Sequence, residues 1–581
     1  KGLTGNDMEV IDEFPAFSFL LGDMHPHVLA YPFVFMVIGL AFNLLLSGSE
    51  GSSPTTAGEW WVIAVCLGAI GFLNTWDLPF YFFLLVAAHA LSLYRRAGQA
   101  ANREPDGGEP LATGHAPTLL ERLLARWGLL EAGQANWLGQ AAFRALELGV
   151  VSVLLYLPYW LYSRPQAGAG ILPNLFNVSR FAHLFLMFGT FLVALTVFLF
   201  ALYRELWRAG RMNGRVLLRQ GLPLWLGTML AFPLLLALVL VPLLVSPTAR
   251  SYIDDVLASP EVQQFLGPQT LGSLLRISLR IRAGLLPTQL REIRMPAGPW
   301  TFLIVSLLLA AVLFWFARTT FPRWFKSRPG EGRPAGPARQ FSLLLALVGL
   351  LLIFAVEFVY LRDGFGTRMN TVFKFYFQAW ALLGLAAAFG LYDVLERAPG
   401  SRLGKGAFAA LFYLLLAAGL LYPLGASISR TGGFAGPATL NGLAFVARER
   451  PDEYAAIEWL SGHAGDEPGL PPVIVEAVRG SFAYEYARFS SRTGLPAVMG
   501  WTGHEGTWHG LYDEITERER DVQLLYAGGV QDTRRILDKY GVRYVIYGYL
   551  ERSEFPDAER KFDRMLETVF QEGNTTIYQR R

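Results

Sequence analysis

Long apolar stretches dominate the chain and are separated by polar connections. Ten stretches have the length and composition of candidate helices: 28–46, 60–73, 78–93, 143–163, 183–203, 222–245, 300–318, 340–358, 376–394 and 406–424. A helix needs ~20 residues to cross a bilayer, so this pattern predicts a polytopic α-helical membrane protein with about ten spans. The second and third stretches are short, and only Asn74-Thr75-Trp76-Asp77 separates them. They predict either a tight hairpin or one broken helix, since hydropathy alone does not distinguish the two.

The pattern changes after residue 424, where shorter elements alternate. Ala455–Ser461 and Asp532–Tyr540 have helical spacing, whereas Pro472–Ala477, Val542–Gly548 and Thr575–Gln579 have the character of strands. Alternating helices and strands predict a small α/β domain. The predicted organisation is an outer-face loop over 1–27, a transmembrane domain over 28–424 and an extracytoplasmic α/β domain over 425–581.

Composition agrees with this pattern and excludes several classes of function. Hydrophobic residues make up 53% of the 581 residues and charged residues 17%, against about 25% charged in an average soluble domain. A formal charge of +3 does not suggest a nucleic-acid partner. Cys66 is the only cysteine, which excludes an internal disulfide framework and a cysteine-based metal site. The sequence starts at Lys1 without an initiator Met or a signal peptide, so we expect a segment upstream of it.

Basic residues predict how the spans are oriented. They concentrate in the connections 94–142, 204–221, 319–339 and 395–405. With ten spans and a hairpin at 74–77, all four connections lie on one side, which the positive-inside rule assigns to the cytoplasm. The connection 246–299 is also basic but lies outside, and it is long enough for the rule to weaken. A multi-pass plasma-membrane protein with an extracytoplasmic C-terminal domain is therefore predicted.

The segment from Glu13 to His27 carries the strongest chemical signal. Asp23, His25 and His27 stand within five residues at the mouth of the first span. A carboxylate beside imidazoles can hold a divalent cation such as Mg²⁺ or Mn²⁺, or accept a proton from an acceptor hydroxyl. Two histidines at i and i+2 share a metal only on extended backbone, which Pro26 favours for His25. The alternative is an ordinary polar cap on a membrane helix.

Two further clusters lie on the predicted outer face. Asn74 and Asp77 form either a simple turn or a site that faces Asp23. Arg362, Arg368 and Lys374 follow a span, interleaved with glycines and aromatic residues. Cations of this kind bind the phosphate of a lipid, although they also anchor helices at headgroups. Glu357 is a potential ion-pair partner of Arg362 or Arg368.

His504 and Glu505 lie in an aromatic segment of the tail, Gly500-Trp-Thr-Gly-His-Glu-Gly-Thr-Trp-His-Gly510. The second histidine of a zinc protease motif is missing at helical spacing. The segment predicts either a loop that contacts sugar or another substrate, or a packed hinge.

Several of these segments together resemble the YYY membrane-protein family, a hydrophobic prokaryotic family of unassigned function. They are Glu13–His27, Gly71–Asp77, Arg362–Phe375, the Gly500-Trp-x-x-His-Glu motif and the Tyr540-Gly-Val-Arg-Tyr-Val motif. That family is distantly similar to GT-C glycosyltransferases, which take a sugar from a polyprenyl-phosphate donor. The resemblance implies that Asp23 matches the acidic residue of the first outer loop of GT-C enzymes. GT-C chains have a span before that loop, whereas this sequence starts within it.

These observations predict a GT-C-type membrane glycosyltransferase. Asp23 and Asp77 are the candidate catalytic residues. The candidate substrate-binding residues are His25, His27, Asn74, Arg362, Arg368, Lys374, His504 and Glu505. The expected partners are membrane lipid, a polyprenyl-phosphate-linked sugar and a glycan, protein or lipid acceptor. The alternative is a non-catalytic membrane scaffold or a lipid- or glycan-binding subunit of a cell-envelope assembly. A transporter is disfavoured because the charged residues cluster at loop ends and not within the spans.

Overall fold

The computed structural model describes thirteen segments of the chain. They are 14–22, 25–49, 55–102, 136–162, 171–174, 178–210, 212–231, 300–320, 336–361, 368–463, 470–481, 483–510 and 512–580, with isolated helical positions between 234 and 280. Contacts divide the chain into two compact units, and the boundary between them near the C-terminus falls between Gly433 and Phe434. The sequence predicts this change of organisation at 425, within the last apolar helix.

The first unit is a helical membrane domain. Its helices are α1 (Pro15–Leu21), α2 (Pro26–Leu46), α3 (Ala57–Leu73), α4 (Leu78–Asn102), α5 (Asn136–Leu155), α6 (Leu157–Tyr162), α7 (Phe181–Arg208), α8 (Gly214–Val216), α9 (Trp300–Thr320), α10 (Pro337–Ala355), α11 (Met369–Tyr392) and α12 (Arg402–Arg430). Strands β1 (Ile171–Pro173) and β2 (Val359–Leu361) pair antiparallel. A π-helical turn (Leu217–Gly221) follows α8 and a second one (Asp393–Arg397) follows α11.

The predicted membrane class is confirmed. Among the described residues, eight helices are long and apolar enough to cross a membrane, and α3 is a shorter apolar helix. The predicted span 222–245 falls only partly within the described residues, which are helical up to 231. The core is built almost entirely of aliphatic and aromatic side chains from α2, α3, α4, α7, α9, α10 and α11.

Helices α3 and α4 form a hairpin and not one broken helix. Residues Thr75–Asp77 form a turn between them. The ring centroids of Trp60, near the start of α3, and His89, late in α4, lie 4.8 Å apart. The two helices therefore run antiparallel. Hydropathy left both possibilities open, and helix packing decides between them.

The helix ends of the first unit fall into two groups. In one group, His27 at the start of α2 contacts Phe373 and Phe377 near the start of α11. In the other, Arg339 at the start of α10 pairs with Glu205 and Asp393 near the ends of α7 and α11. These contacts place the starts of α2 and α11 together and the start of α10 with the ends of α7 and α11. The count of ten spans stays a prediction.

The second unit is an α/β domain. Its helices are α13 (Ala444–Glu449), α14 (Pro451–His463), α15 (Ser490–Thr493), α16 (Thr502–His509), α17 (Tyr512–Ala527), α18 (Val530–Tyr540), α19 (Tyr549–Glu554) and α20 (Ala558–Met565). The sheet contains β3 (Val473–Val475), β4 (Val542–Tyr547), β5 (Glu567–Glu572) and β6 (Thr575–Gln579) in the order β3-β4-β6-β5. Only β3 and β4 are parallel, and the other two pairs are antiparallel. The three predicted strands and both predicted helices are confirmed, whereas the sequence analysis missed β5.

A buried ion network joins the elements of the second unit. The Arg488 guanidinium donates to Glu453 at 2.8 Å and to Glu551 at 2.7 Å, and Glu476 lies 3.8 Å away. All four side chains are almost fully buried. Glu476 and Glu551 also accept backbone hydrogen bonds, from Phe489 and Ser490 and from Ala477 and Gly548 respectively. One guanidinium faces three carboxylates, so the backbone N–H groups supply part of the stabilisation that buried carboxylates need.

Candidate functional site

Asp77 closes the turn between α3 and α4 and is fully buried. The backbone of Asp77 makes hydrogen bonds in the turn and at the start of α4. Its N–H donates to the Asn74 carbonyl, and its carbonyl accepts from the N–H groups of Phe80 and Tyr81. Neither carboxylate oxygen makes a hydrogen bond of good geometry within the described chain, although the side chains of Asn74 and Gln378 act on it as hydrogen-bond donors. The turn accounts for the backbone of Asp77, whereas its side chain also has a neighbour, Gln378, outside the turn.

The local turn is well anchored by other groups. The Thr75 hydroxyl lies 3.1 Å from the Gly71 carbonyl and 2.9 Å from the Tyr159 hydroxyl. The Asn74 N–H donates to Ile70 at the end of α3. These bonds fix the backbone that carries Asp77, so the position of its carboxylate is set by the hairpin.

Polar side chains from the turn and from helices α2 and α11 act on this carboxylate. Asn74 and Gln378 influence its ionisation through their side chains, and Lys374 and Tyr31 interact with its charge. Burial raises the pKa of the Asp77 carboxyl to about 7, while Asn74, Lys374 and Gln378 oppose that rise. Asp77 is therefore poised to exchange a proton near neutral pH.

Aromatic rings frame the cluster. The Lys374 ammonium lies 4.4 Å from the centroid of the Trp76 ring, a cation–π contact next to Asp77. His27 is buried between Phe373 and Phe377, with ring centroids at 4.7 and 4.9 Å. The arrangement places a cation, a carboxylate and an imidazole among apolar walls on neighbouring helix ends.

The two histidines of the N-terminal cluster have different environments. His25 has extended backbone ahead of Pro26, as predicted, and its side chain is exposed, whereas that of His27 is buried. Their ring centroids are 6.0 Å apart. The described residues contain no group of three His, Cys, Asp or Glu side chains that could hold a metal ion. Asp23 lies outside the described residues, so the predicted ligand set of Asp23, His25 and His27 stays a prediction.

An apolar cleft lies next to the turn. It has a volume of about 230 Å³ and exposes only apolar atoms. Leu67 and Gly68 of α3, Leu78 and Phe82 of α4, and Trp160 of α6 contribute to its wall. Because Leu78 directly follows Asp77, the cleft approaches the polar cluster along α4.

Arg368 forms an ion pair and hydrogen bonds with other residues of the first unit. Its guanidinium lies 3.1 Å from the Glu357 carboxylate and also donates to the Val356 carbonyl and the Ser179 hydroxyl. The exposed fractions of the Arg368 and Glu357 side chains are 12% and 2%. The pairing of Glu357 with Arg368 is thus observed, and a phosphate-binding role for Arg368 stays a prediction. Arg362 lies outside the described residues.

His504 and Glu505 belong to the second unit, on helix α16. The Trp501 and His504 ring centroids are 5.0 Å apart, and Glu505 lies 3.2 Å from His509. The helix is tied to its own unit by the bond from the Gly503 N–H to the Ser481 hydroxyl. A substrate contact by His504 or Glu505 stays a prediction.

The structure thus brings together three of the predicted site residues, Asn74, Asp77 and Lys374, and places His27 against Phe373, next to Lys374 in α11. Tyr31, Tyr81 and Gln378 also belong to the cluster, and the sequence did not predict them. They lie inside apolar spans, where a single polar residue is common and does not by itself indicate a site. The one signal in the sequence was the presence of Gln378 one turn after Lys374 in an otherwise apolar helix.

Comparison with known proteins places the chain in one family. A family model described as "Uncharacterized membrane protein (DUF2298)" matches residues 8–383, well over half of the chain, so the chain belongs to that family. No curated protein and no solved structure matches it. The family match supports a membrane protein, whereas the YYY naming and the similarity to GT-C enzymes stay predictions.

Proposed function

We propose that the protein is a GT-C-type glycosyltransferase that moves a sugar from a polyprenyl-phosphate donor to an acceptor on the outer membrane face. The observation that carries this proposal is the fully buried Asp77 carboxylate, whose burial is offset, within the described chain, only by the Asn74 and Gln378 amides and by the charge of Lys374. Such a group is costly to keep in a membrane protein unless it binds or reacts with something. Lys374 beside Trp76 supplies a cation at the same helix end.

The proposed reaction assigns Asp77 the role of general base. The acceptor hydroxyl gives its proton to the carboxylate as its oxygen bonds to the anomeric carbon of the sugar. The bond between that carbon and the lipid phosphate oxygen breaks, and its electron pair leaves with the phosphate. Lys374 stabilises the negative charge that grows on the departing phosphate. Asp23, outside the described residues, stays a candidate catalytic residue, and His25 or His27 would be the ligands of a divalent cation if one binds.

The apolar cleft supports a lipid-linked donor. Its wall offers hydrocarbon contacts and no exposed polar atom, which suits a prenyl chain. Leu78 and Pro79, which follow Asp77 in the chain, belong to the wall of the cleft. We therefore propose that a prenyl chain binds in this cleft with its phosphate near the polar cluster.

The test is transfer by the purified full-length protein in phosphatidylglycerol nanodiscs. Undecaprenyl phosphates that carry radiolabelled glucose, galactose or mannose serve as donors, and a cell-envelope extract serves as the source of acceptor. We expect release of undecaprenyl phosphate with at least one donor. Asp77→Asn should reduce the rate by about 10²–10⁴-fold, the usual contribution of a general base, without loss of donor binding. Asp513→Asn, an exposed position in the second unit, is the matched control.

The variant Lys374→Gln tests the role of Lys374 in donor binding separately from the role of Asp77 as the base. We expect weaker donor binding, whereas Lys405→Gln, at the start of α12, should leave donor binding unchanged. No turnover of any donor by the wild-type protein, or full activity of Asp77→Asn, would contradict the proposal.

A second function, a non-catalytic membrane scaffold or lipid- or glycan-binding subunit, is favoured by one observation. Arg368 is committed to Glu357 and Ser179, as expected of a residue that stabilises the bundle. In that case the donor lipids would bind without being consumed, and the same nanodisc assay would report binding alone.

A further inference from the structure

Helices α4 and α11 lie side by side and run in the same direction. Near their starts, the ring centroids of Phe80 and Phe375 are 4.8 Å apart. At the far end, Arg95 of α4 donates to Gln340 at the start of α10, and the same start of α10 pairs with the residue that follows α11. Both helices therefore begin at the end of the bundle that contains Asp77.

The register of these two helices places Lys374 opposite Asp77. The Tyr81 hydroxyl donates to Oε1 of Gln378 at 2.5 Å, and both of these side chains are fully buried. Asp77 stands one helical turn before Tyr81, and Lys374 stands one turn before Gln378. Residues one turn apart share a helix face, so the contact between Tyr81 and Gln378 brings the start of each helix to the same level. The charge of Lys374 acts on Asp77 accordingly.

Trp76 holds the end of the Lys374 side chain. The Lys374 ammonium lies 4.4 Å from the centroid of the Trp76 ring, and both side chains are partly buried. A lysine near a helix end can also extend its flexible stem towards water. The electron-rich face of an indole attracts the ammonium. Because Trp76 directly precedes Asp77 in the turn, the ring keeps the ammonium close to the carboxylate.

We propose that Trp76 is the positioning residue that holds the Lys374 ammonium beside Asp77, where it also meets the phosphate of the lipid-linked donor. This inference rests on the proposed function and adds the residue that determines where its cation lies. The alternative is an ordinary interfacial tryptophan that anchors the turn in the membrane. An anchor of that kind would act on stability and not on the charge near Asp77.

The first test follows Asp77 by infrared spectroscopy of the full-length protein in nanodiscs, using the carboxyl band that Asp77→Asn removes. The charged or titratable groups that act on Asp77 are Lys374, Tyr31 and Tyr81. A nearby cation favours the ionised carboxylate, so Trp76→Leu should raise the titration midpoint by up to about one pH unit. Lys374→Gln should raise it at least as far, and adding Trp76→Leu to that variant should produce no further rise.

Fluorinated tryptophan at position 76 separates the electrostatics of the ring from its size. Fluorine withdraws electron density from the ring face and weakens its attraction for a cation, while the shape is nearly kept. The midpoint should rise stepwise with one, two and three fluorine atoms at an unchanged temperature of unfolding. The matched control is Trp60→Leu at the start of α3, which removes a ring 5.6 Å from the Arg144 guanidinium and should leave the midpoint unchanged.

Three results would overturn the role of Trp76. They are a midpoint that does not follow the number of fluorine atoms, an equal rise in Trp60→Leu, and a further rise when Trp76→Leu is added to Lys374→Gln. These titrations need neither donor nor turnover. Absent transfer with the expected titrations would contradict the proposed glycosyltransferase and leave the positioning of Lys374 in place.

The second test measures binding of undecaprenyl phosphate in the same nanodiscs. Trp76→Leu should weaken binding by about 2- to 30-fold, the range that a cation–π contact supports. Trp76→Phe keeps an aromatic ring and should lie between the wild type and Trp76→Leu. Unchanged affinity in Trp76→Leu together with a loss in Lys374→Gln would show that Lys374 meets the phosphate without help from Trp76.

Discussion

Asp77 combines a backbone that stabilises a turn with a carboxylate buried in a membrane protein. The backbone of Asp77 completes a hairpin turn, and the burial of its carboxylate is offset by the Asn74 and Gln378 amides and by the charge of Lys374. Structural carboxylates in the same protein are held differently: Glu551 binds Arg488 and two backbone N–H groups. The weaker compensation of Asp77 suits a group that exchanges a proton.

The pH dependence of transfer should report Asp77. Because burial raises the pKa of its carboxyl to about 7, the base is protonated and inactive below neutrality and ionised above it. We expect the rate to rise with pH through about 7, measured over the range from about pH 5 to 9. Lys374→Gln removes a charge that favours the ionised form, so the midpoint should move upward. A rate independent of pH through this range would exclude Asp77 as the base.

Arg368 should matter more for stability than an exposed ion pair. Removing one partner of a buried pair typically costs about 3–5 kcal/mol, because the other charge is left unpaired. We therefore expect Arg368→Ala to lower the free energy of unfolding in detergent by roughly that amount. Arg144→Ala breaks a half-exposed pair with Glu147 and should cost at most about 1 kcal/mol.

The outcome also distinguishes the two roles of Arg368. Weaker donor binding at unchanged stability would identify Arg368 as a phosphate ligand, as the sequence predicts. A loss of stability with normal donor affinity in the folded fraction would identify it as a residue that holds the bundle together.

At the scale of elements, the hairpin α3–α4 depends on close approach to α5. A Cβ atom added at Gly68 would lie 2.5 Å from the Tyr156 ring and 2.7 Å from the Ser152 carbonyl oxygen. The ring is held by its hydroxyl bond to α3 and the carbonyl belongs to the backbone, so neither can move far. Gly68 therefore sets the distance between the helices that bound the apolar cleft.

Gly68→Ala should destabilise this contact. Overpacking of a tight interface costs about 1–3 kcal/mol, and the cleft next to it should change shape. The measurements are thermal unfolding and donor binding in nanodiscs. Gly139→Ala is the control on α5, since a Cβ there meets nothing within 4 Å, and it should be neutral or slightly stabilising. Equal stability of both variants would contradict a packing role for Gly68.

At the scale of the whole molecule, the alternating helix ends give a testable orientation. Basic residues cluster at the end that carries Arg339, Arg95 and Arg397, and the Asp77 cluster lies at the opposite end of the first unit. The positive-inside rule predicts that the basic end is cytoplasmic. We therefore expect the Asp77 cluster and the tail after residue 424 to be extracytoplasmic.

Cysteine labelling with a membrane-impermeant reagent tests this orientation. The background is Cys66→Ala, since Cys66 is the only native cysteine. Arg208→Cys, exposed at the end of α7, and Tyr484→Cys, 61% exposed in the second unit, should be labelled from opposite sides. Labelling of both from one side would place the second unit with the basic end and remove the outer-face assignment.

The sequence by itself determined the membrane class, nearly all of the described spans and most of the α/β tail. The physical reason is that each segment's preference for lipid or water depends mainly on its own residues. A long apolar run is stable in lipid, and short alternating helices and strands pack into a small α/β core. It also singled out His27, Asn74, Asp77 and Lys374, because polar residues at the ends of spans stand out against apolar surroundings.

Only the tertiary structure decided the hairpin, the pairing of Arg368 with Glu357 and the membership of Tyr31, Tyr81 and Gln378 in the cluster. These features depend on which helices are neighbours, and residues such as Tyr81 and Gln378 are 297 positions apart in sequence. The sequence of a span does not show whether a polar side chain in it faces lipid, a neighbouring helix or a site. Helix packing determines which residues surround that side chain, and therefore which of the three it faces.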